Sequence, residues 1–108
     1  MSYLLDTNIC IYIIKQKPPM VIERFRKTAV SEIGISSISL SELMYGVSKS
    51  EHPGQNQIAL AGFAAPLEIS PYGDEAARFY GDLRAHLETK GTPIGSLDML
   101  IAAHALSC

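Results

Sequence analysis

Three short apolar runs, each handing over to a helical stretch, constrain this chain more than anything else in it. Residues 2–5 are too short for a helix, carry one aromatic, and are bounded by Asp6-Thr7-Asn8, which reads as a buried strand ending at a helix cap. Residues 33–35 hold strand formers between polar neighbours and run into Ser36-Ser37, and residues 67–69 lie between Pro66 and Pro71. The stretches between are helical. Residues 9–15 form a first helix, broken by Pro18-Pro19; residues 20–27 form a second, with proline at its start and Val21, Ile22 and Phe25 on one side. Ser39 reads as the cap of a third, with Leu40, Leu43, Met44 and Val47 at helical spacing. After a His52-Pro53-Gly54 loop, residues 58–65 form a short apolar helix.

The remaining third is helical throughout. Over residues 74–90, Ala76, Tyr80, Leu83 and Leu87 follow the 3.6-residue period, and Gly91 supplies the stop. The turn-rich Gly91-Thr92-Pro93-Ile94-Gly95 leads to Ser96 as cap of a last helix, residues 97–106, apolar nearly all round and therefore expected to be buried. Strands alternating with helices predict an α/β fold with a parallel sheet covered on both faces, in a single domain over residues 1–108.

Composition narrows the class. Apolar residues make up 47% and charged residues 19%, with a mean hydropathy of +0.14, which excludes a disordered chain. No apolar run approaches the roughly 18 residues of a membrane span, and the start of the sequence lacks a secretory layout. Two cysteines, Cys10 and Cys108, are too few for a disulfide framework, so the expectation is a cytoplasmic protein with no membrane partner. A net charge of −2 argues against indiscriminate nucleic-acid binding, yet the charge is uneven. Up to Val30 five bases (Lys15, Lys17, Arg24, Arg26, Lys27) face two acids; afterwards four bases face nine acids. Those five bases suit a nucleic-acid substrate, and equally a solvated helical surface.

Three acids stand out by position. Asp6 follows the first strand, Glu42 lies at the start of the helix after the second, and Asp98 lies at the start of the last helix. Ligands of open parallel sheets bind beyond the carboxyl ends of the strands, so three distant acids can converge there on a hard divalent cation. Each acid also has a purely structural reading: Asp6 as an N-cap, Ser39-x-x-Glu42 as a capping box, Asp98 as a complement to the helix dipole. His104, six residues after Asp98, lies about 240° around the helix from it, which argues against a metal-free histidine mechanism. The tyrosines Tyr3, Tyr12, Tyr45, Tyr72 and Tyr80 are expected in the core or at an interface rather than as stacking platforms. A phospho-acceptor receiver domain would need adjacent acids after the first strand and a lysine after a late one; neither is present.

The stretches Leu4-Leu5-Asp6-Thr7-Asn8, Ser41-Glu42-Leu43-x-x-Gly46 and Gly95-x-x-Asp98-x-x-Ile101-Ala102-Ala103-His104-Ala105 resemble the motifs of PIN-domain nucleases. More closely, they resemble the VapC toxins of bacterial toxin–antitoxin pairs; the likeness extends to Leu83-Arg84 and to residues 90–95. The resemblance implies a three-layer fold with a short parallel sheet flanked by helices. It implies a magnesium-dependent endoribonuclease, with Mn²⁺ as a substitute. Asp6, Glu42 and Asp98 would be catalytic and metal-binding, and Thr7 and Asn8 would orient Asp6. RNA, a tRNA among the candidates, would be the substrate, with a VapB-type antitoxin and a second copy of the chain as partners.

Members of that family continue into a further strand and a Thr-Asn or Thr-Asp motif bearing a fourth polar site residue. The expectation is therefore a C-terminally shortened PIN domain with its last strand missing and one edge of the first strand unpaired. Such a chain should associate, depend on a partner or be unstable, with little nuclease activity. The competing expectation is a catalytically impaired chain that acts only by binding antitoxin.

Overall fold

The computed structural model describes residues 2–92 and 94–108, so Pro93 of the expected loop lies outside the described residues. The chain divides into two compact units, Met1–Ser70 and Pro71–Cys108.

The first unit holds the sheet. Its elements run β1 (Tyr3–Leu5), α1 (Thr7–Lys15), α2 (Pro19–Lys27), a 3₁₀ turn (Val30–Glu32), β2 (Ile33–Ser36), α3 (Ser37–Ser48), α4 (Pro53–Ala64) and β3 (Glu68–Ser70). The strands form a parallel sheet in the order β1-β2-β3, with Leu5 opposite Ile35 and Ile35 opposite Ile69. All four residues of the central β2 are buried, as expected of a strand paired on both sides under helices. Among the described residues no strand pairs with the outer edge of β1. Cys10, Ile33, Ile35, Leu43, Leu60 and Leu67 make the core. Phe25 of α2 meets Phe63 of α4 beside it, ring centres 6.2 Å apart.

Local chemistry sets the helix limits. Ser36, not Ser39, caps α3: its Oγ accepts the Ile38 N–H at 3.0 Å, and the helix starts where the strand ladder ends. Ser39 lies inside the first turn, fully buried, and among the described residues its hydroxyl has no partner. Pro53 opens α4, so this helix begins within the expected loop; proline at the first position lacks only an N–H that the helix would leave unbonded.

The second unit comprises α5 (Asp74–Thr89) and α6 (Ser96–Ser107), packed on each other. Gly91 adopts φ +67°, and the Thr92 and Gly91 amides turn back to the Leu87 and Glu88 carbonyls, closing α5. Gly95 rather than Ser96 occupies the cap position of α6, with no side-chain cap bond. Met99, Ile101, Ala103 and His104 are buried, whereas Leu97 and Leu106 are exposed, so α6 is less enclosed than its composition suggests. The His104 ring stands edge-on to Tyr72, 5.6 Å between centres, and burial holds its pKa below the usual histidine value.

Candidate active site

Parallel pairing brings the ends of β1 and β2 out on the same side. With Leu5 opposite Ile35, Asp6 and Ser36, the last residue of β2, follow side by side at the carboxyl end of the sheet. Each caps the helix that follows. Asp6 has extended backbone angles, and its Oδ1 accepts the Ile9 N–H at 2.8 Å. As α1 and α3 pack against each other, Thr7 Oγ1 donates to Glu42 Oε1 at 2.7 Å.

That bond revises two expectations. Glu42 is not the far half of a capping box: with α3 starting at Ser37 it stands in the second turn, and it takes its bond from Thr7 of another helix. Thr7, expected to orient Asp6, holds Glu42 instead. A hydroxyl donated to a carboxylate is a strong bond, worth about 1.5–3 kcal/mol, and fixes the acid's rotamer. Asn8 is exposed, and among the described residues its side chain makes no hydrogen bond.

Asp98 lies in the second unit, in the first turn of α6, and is exposed. Its Oδ2 reaches back over the helix start, 3.5 Å from where a Cβ on Gly95 would stand. Among the described residues, no three His, Cys, Asp or Glu side chains are grouped so as to hold a metal ion. The donor chemistry of the first unit nonetheless fits a hard cation. Asp6 Oδ2 and Glu42 Oε2 are not taken up by the cap or the Thr7 bond, and both are oxygen donors of the kind Mg²⁺ prefers.

Glu42 also borders a cleft of about 380 Å³, whose wall includes Lys15, Ile14, Leu43, Gly46 and Asn56. Of the five clustered bases, Lys15 alone lines it. Arg24, Arg26 and Lys27 occupy the last turn of α2, where cations complement the helix dipole, and Lys27 pairs with Glu23 at 3.0 Å. Lys17 is exposed beyond α1. Sequence reading assigns Lys49 no role and places Tyr45 only in the core or at an interface, although Glu42, Tyr45, Gly46 and Lys49 fall at i, i+3, i+4 and i+7 on one face of α3. Cys10, next to these elements, belongs to the core. Burial, with the Asp6 charge adding to it, pushes its thiol up to about 12.

The PIN domain family matches residues 3–107. The chain is 46% identical to the tRNA(fMet)-specific endonuclease VapC of Salmonella typhimurium, across 97% of this chain and 79% of that protein. It is likewise 46% identical to Ribonuclease VapC2 of Rickettsia felis, across 99% of this chain and 81% of the relative. A crystal structure of DNA-bound VapBC from Salmonella typhimurium matches with a TM-score of 0.92, covering 99% of this chain and 80% of that one. A family match along almost every residue, a parallel sheet with an acid after its first strand, and two relatives at this identity lead to one assignment: the chain belongs to the PIN-domain family, in its VapC branch.

Proposed function

We propose that this chain is a ribonuclease toxin of a VapBC-type pair, cleaving RNA phosphodiester bonds at the carboxyl ends of β1 and β2. The supporting observation is the Thr7–Glu42 bond, which ties two acids from distant parts of the sequence to neighbouring strand ends. Asp6 and Glu42 would hold Mg²⁺, with Mn²⁺ substituting; Asp98, in the second unit, joins them on the family resemblance. Such an ion, when bound, supplies Lewis acidity toward the phosphate and a more acidic water. The chain's own groups do the positioning. The Ile9 amide holds Asp6, and the Thr7 hydroxyl holds Glu42. Lys15, on the cleft wall, would meet a substrate phosphate, Lys17, Arg24, Arg26 and Lys27 are further candidates for RNA contact, and Asn8 would orient Asp6.

A tRNA is the first substrate to try, since one relative is named for tRNA(fMet). A VapB-type antitoxin is the proposed partner, a homodimer the proposed assembly and the cytoplasm the proposed location. A purely antitoxin-binding role is not favoured, because the relatives are named as nucleases. Mapping product ends is the test. Carboxylate-held metal chemistry predicts 5′-phosphate and 3′-hydroxyl ends and loss of cleavage in EDTA; 2′,3′-cyclic phosphate ends would overturn it.

A further inference from the structure

Beside Glu42, α3 presents a surface that the fold itself does not use. Tyr45 is 66% exposed, which excludes the core half of its expected core-or-interface role, and the Lys49 ammonium stands 5.1 Å from its ring centre. Gly46 sits one turn beyond Glu42 and lines the same cleft. Glycine weakens a helix interior relative to alanine, yet a Cβ at this position would meet nothing within 4 Å. Among the described residues no neighbour requires the glycine, and the space it leaves belongs to the cleft beside the acid.

We propose that Tyr45, Gly46 and Lys49 form a seat for single-stranded RNA adjoining Glu42, in which a nucleobase stacks on the Tyr45 ring and Lys49 meets a neighbouring phosphate. The proposal rests on the RNA-cleaving reading above and adds the residues that hold the nucleotide flanking the cleaved bond. An aromatic platform beside a cation is the ordinary means of gripping single strands, because every base offers a π-face and every nucleotide a phosphate. Gly46 lets the strand lie close against the helix between the carboxylate and the ring. Lys15 on the far wall of the cleft adds a second cation along the same path. Glu42, Tyr45 and Lys49 put polar or charged tips on this face of α3, which suits a nucleotide. The apolar side chains of the adjoining cleft, Ile11, Ile14, Leu43, Val47 and Leu60, are what a protein segment would use instead.

The test is fluorescence anisotropy with a labelled single-stranded RNA of about 12 nucleotides, within the site sizes of single-strand binders. Ca²⁺ replaces Mg²⁺, since it takes the same class of oxygen ligands. Tyr45→Ala should weaken binding by about tenfold, whereas Tyr45→Phe, which keeps the ring, should bind as the unaltered chain does. Gly46→Ala should weaken binding several-fold while raising Tm by roughly 2–6 °C, opposite signs that a merely structural glycine would not give. Unchanged affinity in Tyr45→Ala, or a lowered Tm with unchanged affinity in Gly46→Ala, would overturn the seat while leaving the ribonuclease reading intact. So would a loss confined to self-association or antitoxin binding, which would make this face a protein interface. Failure of the unaltered chain to bind any RNA would overturn both.

Discussion

Asp6 and Asp98 both stand at the start of a helix, but the chain uses them differently. Asp6 is the cap of α1, bonded to the Ile9 amide and one residue from the threonine that holds Glu42. Asp98 lies past a cap position filled by Gly95, and among the described residues its carboxylate has no hydrogen bond or ion pair. The first acid therefore carries a fold role beneath any catalytic one. The second, in the first turn of α6, contributes only the dipole complement that any acid there supplies.

Removing charge while keeping shape gives the largest expected effect. Asp6→Asn and Asp98→Asn should each cut RNA cleavage by at least about 100-fold. Tm should move little in either: asparagine caps α1 as well as aspartate does, and Asp98 is not a cap. Alanine separates the two positions: Asp6→Ala should also lose about 1 kcal/mol of stability in thermal melts, and Asp98→Ala should lose almost none. Equal destabilisation by both would break the contrast and return Asp98 to the fold.

An intermediate effect is expected at Thr7, a positioning residue acting through Glu42. Thr7→Val should lower kcat by about tenfold and stability by about 1–2 kcal/mol. Thr7→Ser should restore both, which a role in packing alone would not produce. A valine variant with full activity would show that Glu42 needs no help from α1.

The smallest effect distinguishes the two units by pH. His104 titrates lower in the folded chain than the ordinary 6.5, so unfolded chains bind the extra proton first. Its stabilising contribution is full above pH 6.5 and fades as the pH falls below that value. Cys10 behaves oppositely: held up to about 12 from the ordinary 9.0, it contributes fully below pH 9 and fades as the pH rises toward 12. Urea melts across the pH range should show His104→Phe flattening the acid side and Cys10→Ala the alkaline side; an unchanged profile in either would discard that residue as the source.

Much of this was legible in the sequence because strand–helix alternation and proline and glycine punctuation are local signals. The three strands appear within a residue of their expected positions, and α5 stops at Gly91 as read. What failed was choice among equivalent local signals. Ser36 and Ser39 are both competent caps, and only the parallel ladder, a non-local structure, selects Ser36. From that one displacement followed the wrong partner for Glu42, since a capping box can be read along the chain and a bond from Thr7, 35 residues away, cannot. Tyr45 lies outside the core because its exposure depends on which face of α3 the core leaves uncovered, which its aromatic character does not show.

The β1–β2 ladder sets more than a sheet. Three residue pairs place Leu5 against Ile35, and everything beyond them is laid out from that line. A slip by one residue would turn the core face of a strand to solvent. A slip by two would keep the faces but shift α3 by about 6.6 Å along β1. That displacement is well beyond the 2.7 Å at which Thr7 meets Glu42. The strand register is thus a ruler for Thr7 and Glu42: the core faces of β1 and β2 choose the pairing, and the pairing sets where α1 and α3 begin.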